Sequence, residues 1–386
     1  MVAKKEWTIL VYANGSNDLE LEMHKARLDL ATVGSDNKHN ILLQIARGDR
    51  ELAQILRPSD YIPPTKESWE GVRRYYIRKY KSVLLDELDQ ANMANPRELL
   101  KFVEWGMENY PAEHYIVILA GHGFQFTGLI LDYSRDEPYL MGIPGMCNAL
   151  NMIQRRLGQV IDLLILDVCY MNYIEILYEL GQQPDHTVQN MLTYIETGSL
   201  GGMPYNTILS LLNANDGSNV KELIDRIMSE INGSLIGYKI DHHKLIQIKE
   251  SFSQLGRSYF DNPNSLSIKR EVQLLERDLS SLIINYKRDI KRGSGPLIDF
   301  LDFKLKSSFA REVYSKFAFC RENHWTDSLI SEKYEEVRFY PIKLPVKMIL
   351  QYIWSLNPNL NYNQIYTIYH KIQEYKKLRR TTEIDF

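Results

Sequence analysis

The chain has 386 residues, a net charge of −3, a pI near 6.3 and 44% hydrophobic residues, so it can bury a large core and exceeds one typical domain. That charge balance gives no reason to expect nucleic-acid binding or electrostatic attachment to a membrane, and no apolar run reaches the roughly 18 residues of a spanning helix. The three cysteines, Cys147, Cys169 and Cys320, are too few and odd in number for a disulfide framework and fit a reducing compartment. Neither CxxC nor HExxH spacing occurs, so no metal site is indicated.

The N-terminal stretch MVAKKEWTILVYANGSND has no apolar leader ahead of the first strand. No signal peptide is visible, and a cytoplasmic location is expected. Residues 7–13 (WTILVYA) read as a strand, 14–18 (NGSND) as a loop with helix-cap chemistry, and 19–33 as a helix. A second strand covers 40–46, and 72–80 reads as a hairpin arm at the sheet edge. Asn95-Pro96 opens a helix over 97–109 at the position where proline is tolerated. It leads into a buried strand at 114–120 (HYIVILA) and then into Gly121-His122-Gly123. A short strand at 129–133, a polar loop at 134–139 and a helix at 141–157 follow.

Residues 161–166 are apolar except for Asp162, the pattern of a strand buried on both faces of a parallel sheet. Asp167, Val168 and Cys169 come next, and 172–180 (NYIEILYEL) reads as a helix. Cys169 therefore sits where a strand gives way to a helix, in the crevice where open α/β sheets bind ligands. A lone cysteine there reads as a small buried hydrophobe. A histidine between two glycines at another strand mouth changes that reading, because glycines admit a substrate backbone. Cys169 and His122 at neighbouring strand ends suit a thiol nucleophile and its proton-transfer partner.

PAEHYIVILAGHG followed by LLILDVCYMNYIEILYEL resembles the clostripain family of cysteine peptidases, and NMANPRELLKFVEWGMENYPAEHY extends the likeness upstream. A histidine followed about 50 residues later by a cysteine is also the order found in caspases, although the caspase signature Q-A-C-[RQG]-G is absent. The resemblance continues through GPLIDFLDF (295–303) and HWTDSLI (324–330). It implies an α/β, caspase-like, mostly parallel sheet flanked by helices, with a helical C-terminal extension. It also implies a Cys169–His122 dyad without a third residue, and oxyanion donors in the backbone N–H groups of Gly123 and Cys169. Specificity for Arg or Lys before the scissile bond (the P1 residue) would come from Asp167 together with Glu196 or Thr197. The glycine-containing loop TGSLGGMPY after a strand at 191–196 would help wall the pocket. Asp167 has a second reading, as a strand-end carboxylate capping the next helix. No cofactor is required, and calcium enters by resemblance alone.

The remaining candidates carry less. His242-His243 open a helix, and adjacent residues on a helix do not face one ligand. Cys147 reads as core. No G-x-S-x-G elbow occurs, which disfavours an α/β-hydrolase mechanism. Arg135, in the polar loop, is a candidate self-cleavage site; the alternative is a loop that is merely mobile. Residues 1–215 are expected to form the catalytic domain, 216–330 a helical remainder that includes 276–292, and 331–386 a C-terminal extension. In that extension Tyr362, Ile365, Tyr366, Tyr369 and Ile372 fall on one helical face, either packed on the catalytic domain or reserved for a protein partner. The expected function is a cysteine endopeptidase acting on proteins or peptides, with no nucleic-acid or membrane partner. The alternative is an inactive caspase-fold scaffold that binds a protein through its helical C-terminal third.

Overall fold

The computed structural model describes residues 4–60, 67, 69–88, 91–124, 127–135, 137–214, 219–261, 266–287 and 340–384. Cys320, GPLIDFLDF and HWTDSLI lie outside them. The buried-strand runs form β1 (Lys5–Gly15), β2 (His39–Arg47), β5 (Ala112–Ala120), β8 (Leu163–Asp167) and β9 (Asn190–Tyr194), adjacent and parallel in the order β2-β1-β5-β8-β9. Antiparallel strands extend both sides: β3 (Gly71–Arg78) and β4 (Lys81–Glu87) beyond β2, and β10 (Leu235–Lys239) and β11 (Ile283–Lys287) beyond β9.

Each parallel strand is covered on both faces, which is why it reads as continuous apolar sequence. Leu10 and Tyr12 of β1 and Val117 and Leu119 of β5 enter one core. That core is closed by α3 (Pro96–Asn109), α4 (Ile143–Leu157) and α5 (Ile174–Gly181). Ile9, Val11, Ile116 and Ile118 enter the other core, closed by α1 (Glu20–Val33), α6 (Tyr205–Ala214) and α7 (Val220–Glu230). The helix α3 starts as its sequence predicts: the Asn95 side chain accepts from Arg97 N–H at 3.0 Å, and Pro96 occupies the first turn.

Two expectations need correction. Residues 276–287, expected to be helical, are so only to Ser280, and 288–292 lie outside the described residues. After α8 (His242–Asp261), α9 (Leu266–Ser280) ends, and Ile283–Lys287 joins the main sheet antiparallel to β10. Two adjacent isoleucines and a tyrosine favour a strand wherever an open sheet edge offers pairing partners. The described residues after 215 are thus mainly helical, as expected, but also contribute β10 and β11 to the main sheet. The loop 14–18 is also not a side-chain cap. Leu19 is the N-cap of α1, without a side-chain bond. Asn14 Oδ1 and Asn17 Oδ1 instead accept from the N–H groups of Ser16 and Leu19, at 3.1 and 2.8 Å, the local Asx geometry that competes with capping.

A smaller unit lies at the carboxyl end of the sheet. β6 (Leu129–Asp132), β7 (Tyr139–Met141) and β12 (Ile342–Lys343) form a three-stranded sheet. Against it pack α2 (Arg50–Leu56), α10 (Val346–Leu356) and α11 (Tyr362–Ile384), around Leu52, Leu56, Leu131, Ile353, Ile368 and Ile372. The C-terminal helix thus docks on the rest of the chain through its isoleucines, while Tyr362 and Tyr366 of the expected aromatic face are exposed.

Candidate active site

In the β5–β8 pair, Ala120 lies opposite Asp167. Two residues beyond each, His122 and Cys169 leave the ends of adjacent parallel strands side by side. Gly123 presses against the nucleophile segment: a Cβ on it would stand 2.0 Å from the Cys169 carbonyl oxygen, so no other residue fits. Gly123 also pairs with Leu129 in an isolated antiparallel bridge. The two bonds of that bridge run from Phe124 N–H to Gly128 O and from Ile130 N–H to His122 O, both 2.8 Å, which leaves the N–H of Gly123 outside the ladder. Ile130 holds the His122 carbonyl from a left-handed conformation, φ 58°, a strain of about 1–2 kcal/mol for a residue with a Cβ. Strain of this size next to the histidine marks a position the surrounding fold over-determines.

Cys169 is half-buried, and its Sγ accepts from Gly198 N–H at 3.4 Å. Burial pushes its thiol up, the Gly198 N–H pulls it down, and the Asp167 charge adds to the rise. Tyr170, the next residue, is also left-handed (φ 59°), and its N–H donates to Glu196 O at 2.5 Å. That bond ties the nucleophile segment to the end of β9.

Both reactive side chains open into one cavity of about 860 Å³. Asp167, Thr197, Gly198, Ser199 and Gly202 line it on the β8–β9 side, and Lys347, Met348, Gln351, Tyr352 and Ser355 of α10 line the other side. Asp167 does not cap α5, whose N-cap is Tyr173. Its Oδ1 accepts from Tyr194 OH at 2.8 Å, its Oδ2 from Tyr205 OH at 2.6 Å, and both oxygens from Met203 N–H at 3.1 and 3.0 Å. Burial pushes its carboxyl up against the pull of these donors. Gly202, with φ +73°, lies so close that a Cβ would come within 2.7 Å of Asp167 Oδ2. Thr197 lines the cavity, whereas Glu196 is not among its lining residues.

Other sequence candidates stay apart from this centre. Cys147 is buried in α4, and its thiol is pushed well up by burial and by Glu179. His242 Nδ1 lies 3.0 Å from Gly181 O at the start of α8. Arg135 is exposed between β6 and β7, and its carbonyl accepts from Lys376 Nζ of α11 at 2.9 Å.

Two participants were not singled out from sequence. Asp18, 1% exposed, reaches His122 with Oδ1 2.7 Å from Nε2. Tyr352 of α10 donates to the same oxygen, and its ring meets the imidazole edge-on at 5.3 Å between centroids. The only signal for Asp18 is its place in a loop at a strand end. Nothing local marks Tyr352.

A thiol and an imidazole thus leave adjacent strand ends of a parallel α/β sheet and share one cleft at its carboxyl edge, which defines an α/β protein with a candidate thiol–imidazole site. A model of the clostripain family matches residues 70–377, and the chain belongs to that family. Clostripain of Hathewaya histolytica is 24% identical over 338 residues, which cover 77% of this chain and 60% of clostripain; the chain thus spans less than two thirds of that relative. The X-ray structure of a secreted C11 cysteine protease from Bacteroides thetaiotaomicron, in complex with an irreversible peptide inhibitor, is similar with a TM-score of 0.53 at 15% identity. That likeness covers 73% of this chain and 84% of that one. An inactive zymogen C11 protease from Parabacteroides distasonis is similar with a TM-score of 0.52 at 15% identity, over 74% and 85% of the two chains. These likenesses establish the caspase-like fold expected from the sequence: a parallel sheet core with helices on both faces. No helix among the described residues is long and apolar enough to cross a membrane.

Proposed function

We propose that this chain is a cysteine endopeptidase that cuts proteins or peptides after Arg or Lys, with Cys169 as nucleophile and His122 as its proton-transfer partner. The observation that carries this reading is the placement of both groups, in register on adjacent parallel strands, at the mouth of one cavity floored by a buried carboxylate.

Because burial raises the Cys169 thiol, the resting sulfur keeps its proton and needs a base. His122 takes that proton as sulfur attacks the scissile carbonyl carbon. Charge on the carbonyl oxygen is met by the N–H groups of Gly123 and Cys169. The imidazolium then protonates the amine nitrogen as the C–N bond breaks, and a water deprotonated by the same imidazole hydrolyses the thioester. Asp167 supplies negative charge on the P1 side. Its two oxygens offer about four lone-pair sites, and four contacts from Tyr194, Tyr205 and Met203 already occupy them. A basic side chain is therefore selected by charge at the cavity floor and not by a fresh bidentate pair, with Thr197 on the wall. Glu196 contributes only from outside the lining.

Among the described residues no group of three His, Cys, Asp or Glu side chains is placed to hold a metal ion, and no step of the proposed reaction runs through one. The sparse thiols support a reducing, cytoplasmic compartment, while the solved Bacteroides thetaiotaomicron relative is described as secreted; fractionation of the native cells decides between them. The test of the activity is a peptidyl-Arg acyloxymethyl ketone. It should label Cys169 stoichiometrically and abolish cleavage of Arg and Lys peptides. Undiminished cleavage by Cys169→Ala would refute the assignment.

A further inference from the structure

The dyad does not stand alone. From Asp18, His122 and Tyr352 we infer that Asp18 is a positioning residue for the catalytic histidine, locked in place by Tyr352 of helix α10, so that the reactive centre is complete only when that helix is docked. This rests on the Cys169–His122 reading and adds residues that the reading does not use.

The geometry assigns the roles. An ionised carboxylate only accepts hydrogen bonds. With Asp18 Oδ1 2.7 Å from His122 Nε2, the imidazole proton therefore sits on Nε2. The basic lone pair is then on Nδ1, the nitrogen left to serve the thiol. Asp18 itself is held from three sides. Burial pushes its carboxyl up, but the His122 charge, the bonds from His122 and Tyr352 and the Arg57 charge together hold it below the usual Asp value. Arg57 Nη1 bonds the Asp18 backbone carbonyl at 3.2 Å, faces its Oδ2 at 3.9 Å and pairs with Glu22 at 3.1 Å. Asn14 and Asn17 each donate to Leu131 O at 2.7 Å and pin the Asp18 loop to β6.

Tyr352 comes from far along the chain. It reaches Asp18 because Ile349 and Ile353 of its helix are buried with Leu52, Leu56 and Leu131, and because Asn357 donates to Leu56 O at 2.8 Å. Its helix walls the cavity without filling it, since His122 keeps 18% of its side chain exposed. The titratable groups packed around the His122–Asp18 pair are Cys169 after β8, Tyr133 after β6, Arg57 after α2, Glu22 on α1, and Lys347 and Tyr352 on α10.

The two positioning groups act on the imidazole with opposite sign. Asp18→Asn removes the charge that stabilises the imidazolium, so the limb of the pH profile that belongs to His122 should move to lower pH. Tyr352→Phe removes a donor that draws charge from Asp18, so the same limb should hold or move slightly to higher pH. The full-length wild type, Asp18→Asn, Tyr352→Phe and His122→Ala proteins are to be compared in two assays. The first is the pH dependence of iodoacetamide alkylation of Cys169, which needs no peptidase activity. The second is steady-state cleavage of an Arg peptide, with melting temperatures as a fold control. Asp18→Asn should lower kcat by as much as roughly 10⁴-fold, the loss seen when a catalytic histidine loses its carboxylate, with little change in KM. Tyr352→Phe should lower kcat severalfold. Superimposable alkylation profiles for the wild type, Asp18→Asn and Tyr352→Phe would overturn the inference, even if peptide cleavage falls in the variants. If Asp18→Asn fails to fold, Tyr352→Phe, which deletes one hydroxyl, decides: an unchanged kcat together with an unchanged alkylation profile overturns the role of α10. Absence of peptide cleavage in the wild type would overturn the peptidase reading instead, and the alkylation profiles would still report on Asp18.

Discussion

The closest test of the site geometry is Gly123→Ala. A Cβ at this position would lie 2.0 Å from Cys169 O and 2.8 Å from Val168 Cγ1, where ordinary contact begins near 3.4 Å. The obstacle is backbone oxygen, which cannot rotate aside, so the segments after β5 and β8 would have to part by more than an ångström. The strand ladder between them ends at Ala120 and Asp167, so the displacement falls on His122 and Cys169 and spares the core. Overpacking of this kind costs about 1–3 kcal/mol of stability, tolerable in a chain with cores on both sheet faces. Moving reacting groups by about 1 Å is enough to cost roughly 10²-fold in rate. The assay is kcat/KM on a fluorogenic Arg peptide, read beside the thermal midpoint. Gly233→Ala serves as control, because nothing lies within 4 Å of its added Cβ. Wild-type kcat/KM in a folded Gly123→Ala protein would show that the two strand ends do not touch in this way.

His122→Ala should leave Cys169 with a buried, unassisted thiol, so its alkylation should rise with pH about a midpoint above the roughly 8.5 of a free cysteine; stopped assays across pH 6–10 on the order of minutes check this, and rapid alkylation near pH 7 would contradict it. Asp167→Asn should reduce cleavage after Arg and Lys at least tenfold while sparing the fold, as measured by proteome-derived peptide profiling; an apolar or acidic P1 preference in the wild type would remove the basis for it. The same variant carries a pH signature. Burial raises the Asp167 carboxyl above its unfolded value despite bonds from Tyr205, Met203 and Tyr194, so its contribution to stability is complete below the ordinary Asp value and lost as pH rises through the raised one. Asp167→Asn should therefore gain stability relative to wild type between pH 4 and neutrality, on the order of the ordinary carboxyl titration range, in urea melts. Mass spectrometry of wild type beside Cys169→Ala tests self-processing: a boundary after Arg135 in wild type only is the expected product, formed once Lys376 releases the Arg135 carbonyl, and a fully active intact chain excludes it.

Much of this site was legible one residue at a time. The apolar runs of β5 and β8 specify buried parallel strands wherever they pair, and polar residues immediately after such runs have to surface at the carboxyl edge of the sheet. That alone places His122, Asp167 and Cys169 at one rim, and the two glycines beside His122 mark a close backbone approach. Strand order was not legible. That β5 lies between β1 and β8, which brings Asp18 to His122, depends on which strands pair, and pairing is a long-range choice among similar apolar segments. The same holds at the sheet edge: the isoleucines of β11 fit a helix or a strand equally well until β10 offers unpaired N–H and C=O groups. The largest contribution of the tertiary structure is α10. No element was singled out over its residues in the sequence, and its isoleucines would be buried equally well against many surfaces. Docking against α2 and β6 turns Tyr352 toward Asp18, and so joins residues some 330 positions apart at a reactive centre whose chemistry was readable from its nearest strand ends.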